Sequence, residues 1–168
     1  MKDYVNWAIL APGAIANSMA AAMKCFDRRI KLYAVGSRNL DRAKDFAKKW
    51  GFEKYYGSYE DLLNDPEVDA VYISNPHAFH FDSVMQCFEH NKHVLCEKPA
   101  GCNYFQLNKM IQTAKEKKGY EALEKMYKRV FTDACAKIKT DSYKEAKSVD
   151  FAKIAKKIRE IRFLLSLY

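Results

Sequence analysis

Residues 7–16 read Trp7-Ala8-Ile9-Leu10-Ala11-Pro12-Gly13-Ala14-Ile15-Ala16. The first four are apolar enough for a strand buried on both faces, and Pro12 and Gly13 break it. From Ala14 to Met23 the chain is rich in Ala, with Ile and Met, which suits a tightly packed helix. A strand, a sharp turn exposing backbone at a glycine, and a helix opening at once make an anion cradle. The helix offers unpaired N–H groups and the positive end of its dipole. The G-x-G-x-x-G pattern of dinucleotide sites survives only in part, as Ala11-Pro12-Gly13-Ala14-Ile15-Ala16. Gly13 is kept where backbone must approach a pyrophosphate, and Ala16 is small enough for close helix–strand packing. Ala11 replaces the glycine of the tight turn. Taken alone, the stretch also fits a buried strand–turn–helix that holds no ligand.

Downstream, strands and helices alternate. Ile30–Gly36 is a second strand. Asn39 caps a helix through Trp50, with Ala43, Phe46 and Ala47 on one face, and Gly51 stops it. Lys54–Tyr56 is a short third strand. Ser58 opens a helix over Tyr59–Leu63, which ends before Asp65-Pro66. Val68–Ser74 is a fourth strand, Asn75-Pro76-His77 a turn, and Phe79–His90 a helix. His93–Cys96 is a fifth strand broken at Glu97-Lys98-Pro99, and Asn103 caps a helix over Tyr104–Lys118. This order predicts an α/β fold, a Rossmann-like doubly wound parallel sheet with helices on both faces. Ligands of such sheets bind at the carboxyl ends of the strands. The loops there are Ala11–Gly13, Ser37–Arg38, Asn75–His77 and Glu97–Pro99.

After the second strand, NAD-binding sheets place an acid that accepts from the ribose hydroxyls. Here Gly36-Ser37-Arg38 stands instead, a hydroxyl and a permanently charged fork that suit a 2′-phosphate. The expected cofactor is therefore NADP rather than NAD.

Composition narrows the rest. The 168 residues are 49% hydrophobic with a net charge of +8, enough for one ordinary domain with a tail. The lysines are scattered without a long basic run, so neither nucleic acid nor a membrane surface is the expected partner. Five cysteines without a C-x-x-C pair read as reduced thiols of a cytoplasmic protein. His77, His80, His90 and His93 give two H-x-x-H spacings, but no glutamate lies inside either, and no metal is expected. No apolar run is long enough to span a bilayer.

Asn75-Pro-His-Ala-Phe-His80 followed by Val94-Leu-Cys-Glu-Lys-Pro99 resembles the nucleotide-binding domain of the Gfo/Idh/MocA oxidoreductases. Tyr56-Gly-Ser-Tyr-Glu-Asp-Leu-Leu63 and the Ser37-Arg38 pair bring the chain nearest the dihydrodiol dehydrogenase-like branch. The resemblance covers residues 5–118. It implies that Gly13, Ala14 and Ile15 line the pyrophosphate and that Ser37 and Arg38 hold the 2′-phosphate. It implies that Ser74, Asn75, Pro76 and His80 flank the ribose and nicotinamide side, with Glu97 and Lys98 near the nicotinamide. Lys98 is the catalytic candidate, and Pro99 is expected to follow a cis bond. The implied reaction moves a hydride between NADP(H) and a sugar, diol or dicarbonyl. A non-catalytic NADP-binding regulator is the alternative.

Residues 1–118 are thus expected to form the cofactor domain. Gly119–Tyr168 has apolar residues at helical spacing, among them Leu123, Met126, Val130, Ile154, Ile158 and Ile161. It is expected to be an amphipathic helical tail, or what remains of the family's second domain. Its apolar stripe would pack on the sheet edge or on a second subunit of a homo-oligomer. The family's large second sheet has no counterpart in these 168 residues, so the chain reads as truncated. It is expected to bind cofactor but turn over poorly by itself.

Overall fold

In the computed structural model, residues 3–25 and 29–116 are described. The expected tail, 119–168, lies outside the described residues. Five strands, β1 (Val5–Leu10), β2 (Ile30–Gly36), β3 (Lys54–Tyr56), β4 (Ala70–Ile73) and β5 (His93–Cys96), alternate with five helices. The helices are α1 (Ala14–Cys25), α2 (Leu40–Trp50), α3 (Tyr59–Asn64), α4 (His80–Glu89) and α5 (Tyr104–Glu116). All strand pairs are parallel, in the order β3-β2-β1-β4-β5. The chain builds outward from β1 to β3, then crosses back to place β4 on the other side of β1. The crevice between the diverging loops of β1 and β4 is therefore the natural ligand site.

Side chains alternate across the sheet with the period of two that a strand imposes. Trp7, Ile9, Val35 and Tyr72 pack with Ala16, Ala20 and Met23 of α1 and Ala43, Phe46 and Ala47 of α2. Ala8, Leu10, Ala34, Val71 and Ile73 face Leu62, Leu63, Val84, Cys87 and Met110, from α3, α4 and α5. Each large buried apolar side chain contributes about 1.5–3 kcal/mol. The packing is close where α3 crosses the end of β2: a Cβ on Gly36 would lie 2.7 Å from Leu62 Cδ1.

The helix ends follow their residues. Asn39 accepts from the Arg42 amide at 2.9 Å and Ser58 from the Asp61 amide at 3.0 Å, each satisfying an orphan donor of a first turn. One helix starts later than expected. His77–Phe79 is a 3₁₀ turn, so α4 starts at His80. On α5, Met110 is buried but Phe105 is 82% exposed.

At the amino ends of the strands, Asp65 enters the turn before β4. Its carboxylate accepts from Tyr33 Oη (3.0 Å), Lys54 Nζ (2.9 Å), Tyr56 Oη (2.6 Å) and the Glu67 amide (2.9 Å). Lys92 Nζ donates to the carbonyls of Asp65 and Val68 at 2.6 and 3.0 Å. At the carboxyl ends, the ladder runs one residue past β1, β2, β4 and β5. The amides of Ala11, Ser37, Ser74 and Glu97 donate to the carbonyls of Gly36, Tyr56, Leu10 and Ile73, at 2.9, 3.1, 3.2 and 3.0 Å.

Candidate functional site

A cleft of about 640 Å³ opens at those carboxyl ends. Its walls come from the loops after β1, β2 and β4 and the first turns of α1, α2 and α3. Gly13, Ile15, Ser37, Arg38, Ser74, Asn75 and Pro76 line it, so seven of the residues singled out in the sequence meet here. Ala14 sits exposed in the first turn of α1 beside them.

The turn after β1 is held from several sides. Ala11 takes a left-handed φ of +66°, the conformation that the missing glycine would have adopted freely. Its amide donates to Gly36 and its carbonyl accepts from Ser74 Oγ at 3.0 Å. Asn17 Nδ2 donates to the Gly13 carbonyl at 2.9 Å, while Asn17 Oδ1 accepts from Lys49 Nζ and Trp50 Nε1. A Cβ on Gly13 would meet only the Ala11 carbonyl, at 3.9 Å. The protein's own packing thus does not require glycine here, and a bound group approaching the backbone would use the open space. The residues fit a pyrophosphate in this respect.

After β2, the buried Ser37 accepts from the Asn39 amide at 3.2 Å, which aims its hydroxyl oxygen. Arg38 is exposed at the mouth. Two lining residues went unnoticed in the sequence, Arg42 and Tyr59. Arg42 stands in the first turn of α2, and Arg38 just before its N-cap Asn39, so both reach the same cleft. Tyr59 follows the Ser58 cap. Burial pushes its phenol up, and the charges of Arg38 and Arg42 pull the other way. Among the described residues the lining has two guanidiniums and no carboxylate.

His80, Glu97 and Lys98 are not among the lining residues. His80 is fully buried, and both ring nitrogens are taken up by backbone carbonyls, of Pro99 and Asn75. Geometry therefore sets it beneath the loops rather than in the wall. Asn75 Nδ2 donates to Ser83 Oγ at 2.8 Å, which ties the loop after β4 to α4. Glu97 accepts from Tyr72 Oη. Burial, then the Glu97 carboxylate, push the Tyr72 phenol far up, so it remains a donor. Lys98 is exposed, and its bond to Pro99 is cis, as expected. Cys25, Cys87, Cys96 and Cys102 are free thiols, with burial pushing Cys87 and Cys96 up to about 12. Among the described residues no cluster of His, Cys, Asp and Glu could hold a metal. None of their helices is long and apolar enough to cross a membrane.

Sheet order, switch-point cleft and glycine turn together define a Rossmann-type nucleotide-binding domain. The family described as oxidoreductase family, NAD-binding Rossmann fold (GFO_IDH_MocA) matches residues 5–123. The chain belongs to that family. Trans-1,2-dihydrobenzene-1,2-diol dehydrogenase of Mus musculus is 36% identical over 128 residues, 76% of this chain and 38% of the relative. The Homo sapiens protein of that name is 39% identical over 114 residues, 67% of this chain and 34% of the relative. Among solved structures, an NAD binding oxidoreductase from Klebsiella pneumoniae matches with TM-score 0.64 and 32% identity, over 68% of this chain and 32% of that one. A 3-ketoreductase from Actinomadura kijaniata, in complex with NADP, matches with TM-score 0.64 and 30% identity, over 68% and 36%. The chain spans about a third of the length of these relatives.

Proposed function

We propose that this chain is the NADP(H)-binding part of an oxidoreductase acting on a sugar, diol or dicarbonyl in the cytoplasm. The observation that carries the cofactor choice is the end of β2. Ser37, Arg38 and Arg42 line the cleft there, without a carboxylate. A ribose with two free hydroxyls calls for an acceptor, whereas a 2′-phosphate calls for charged planar donors. The likeness to a ketoreductase solved with NADP and to diol dehydrogenases supports the same reading.

When bound, NADP(H) would give a hydride to a carbonyl or accept one from a hydroxyl carbon. Gly13, Ala14 and Ile15 present backbone and the α1 dipole to the pyrophosphate. Ser37, Arg38 and Arg42 hold the 2′-phosphate, and Ser74, Asn75 and Pro76 border the ribose. Glu97, held by Tyr72, and His80, from below, position the loop that carries Lys98. The Lys98 ammonium polarises the substrate oxygen and stabilises alkoxide charge.

Calorimetric titration with NADPH and NADH tests this. NADPH is expected to bind tighter by about 10- to 100-fold, the scale of one to two charge-assisted bonds. Equal affinities would remove the 2′-phosphate assignment. Where carbonyl reduction is measurable, Lys98→Ala should lower it by about 10²–10³-fold with NADPH affinity kept. Binding with neither reduction of a dicarbonyl by NADPH nor oxidation of a sugar or diol by NADP+ would favour the regulator.

A further inference from the structure

The ladder between β1 and β4 ends at two prolines. Leu10 pairs with Ile73, and the Ser74 amide donates to the Leu10 carbonyl at 3.2 Å. In that parallel register the next two donors would be the amides of Pro12 and Pro76. Proline has no N–H, so the main chains cannot carry the ladder into the two loops that line the cleft.

A side chain takes over from them. Ser74 Oγ lies 3.0 Å from the Ala11 carbonyl oxygen and 3.2 Å from that of Leu10. Both oxygens only accept, so the single hydroxyl proton is engaged between them. Leu10 already accepts from the Ser74 amide, and the tie that the hydroxyl adds is the one to Ala11. Ala11 is the residue with a left-handed φ of +66°. There its Cβ crowds the carbonyl oxygen, a cost that glycine would not incur. Rotation about the Ala11 N–Cα bond carries the carbonyl with it. Relaxing φ would therefore pull this oxygen away from Ser74, and the bond opposes the relaxation. Pro12 and Gly13 follow directly and lead into α1, so the conformation of Ala11 sets where that turn and the first amides of α1 stand.

We propose that Ser74 is a positioning residue: its hydroxyl, reaching across from the loop after β4, holds Ala11 left-handed and so does the work of the glycine that this turn lacks. The effect on cofactor affinity rests on the NADP(H) reading above; the hold on Ala11 does not.

The test compares four forms of the 168-residue chain: wild type, Ser74→Ala, Ala11→Gly and the double variant. Amide exchange is followed without cofactor at residue 11, whose N–H donates to the Gly36 carbonyl, and NADPH affinity is measured by calorimetry. With alanine at position 11, Ser74→Ala should quicken that exchange and weaken NADPH, each by about five- to tenfold, the scale of one neutral hydrogen bond. In the Ala11→Gly background the same substitution should change either value by less than about twofold, because glycine takes a positive φ unaided. Equal losses in both backgrounds would overturn the proposal, since the hydroxyl would then act on the cofactor itself or on the fold at large. No change in either background would overturn it too. If Ser74→Ala does not fold, Ser74→Cys, a weak donor of similar shape, takes its place in the comparison. Failure of the wild type to bind NADPH would undo the cofactor reading, while the exchange rates at residue 11 would still decide the hold on Ala11.

Discussion

Asp65, at the amino ends of the strands, accepts four hydrogen bonds from groups on β2, on β3 and in its own turn. Arg38 and Arg42, at the carboxyl ends of the same sheet, line a cleft with no carboxylate among its described residues. Both regions gather charge, but one pairs it within the protein and the other presents it outward. A buried carboxylate is tolerated only when its lone pairs are used, because desolvation is otherwise too costly. Exposed guanidiniums are under no such constraint, since water solvates them until an anion arrives. The amino end is therefore where stability is concentrated, and the carboxyl end is where a ligand is recognised.

The strongest way to break this contrast is at Asp65. Asp65→Ala should cost about 2–3 kcal/mol, because it leaves the Tyr33 and Tyr56 phenols without their shared charged acceptor, while the exposed Lys54 returns to water. NADPH affinity of the folded fraction should not change. Urea unfolding combined with cofactor titration measures both, and a loss of affinity at full stability would invert the assignment. The same carboxylate sets a pH window. Burial would raise it, but the hydrogen bonds from Tyr56 and Lys54 prevail and hold it well below the ordinary range. A lowered native value adds stability that is complete above the unfolded value of about 4 and drains away as pH falls below it. Asp65→Asn should flatten the acid limb of the stability curve.

Arg38→Ala sharpens the other side. NADPH binding should weaken by about 1.5–3 kcal/mol with NADH nearly unaffected, and stability should shift by no more than about 0.5 kcal/mol. Equal losses for both cofactors would show that Arg38 does not read the 2′-phosphate. The smallest effect is expected at Ala11. A left-handed alanine costs about 1–2 kcal/mol, and glycine returns part of that gain to the unfolded chain. Ala11→Gly should therefore stabilise by about 0.5 kcal/mol, visible as a small rise in Tm.

The alternation of strands and helices was legible because both periods are strong here. Trp7 and Ile9 against Ala8 and Leu10, and Ala43, Phe46 and Ala47 along one helix, announce their partners. Ser37 and Arg38 were legible as cleft residues because the fold class fixes what lies at the end of the second strand. Arg42 and Tyr59 were not, since inside capped helices they look like solvated side chains, and only their places in the first turns of α2 and α3 put them in the cleft wall. His80 was expected beside the ribose, and its burial was not legible, because one of the two carbonyls at its ring, that of Pro99, comes from the loop after β5. Phe105 likewise reads as core from its type alone, yet lies in the first turn of α5 beyond the sheet's cover.

The four amides that carry the ladder past the strand ends bear on the thermodynamics of association. With the first residue of the loops after β1, β2, β4 and β5 pinned to a neighbouring strand, binding has little main chain left to order there. The conformational entropy lost should be mostly that of the Arg38 and Arg42 side chains, at about 0.5–1.5 kcal/mol each. The heat-capacity change on binding should then follow the apolar area of the cofactor removed from water, without the large additional decrement that marks folding coupled to binding.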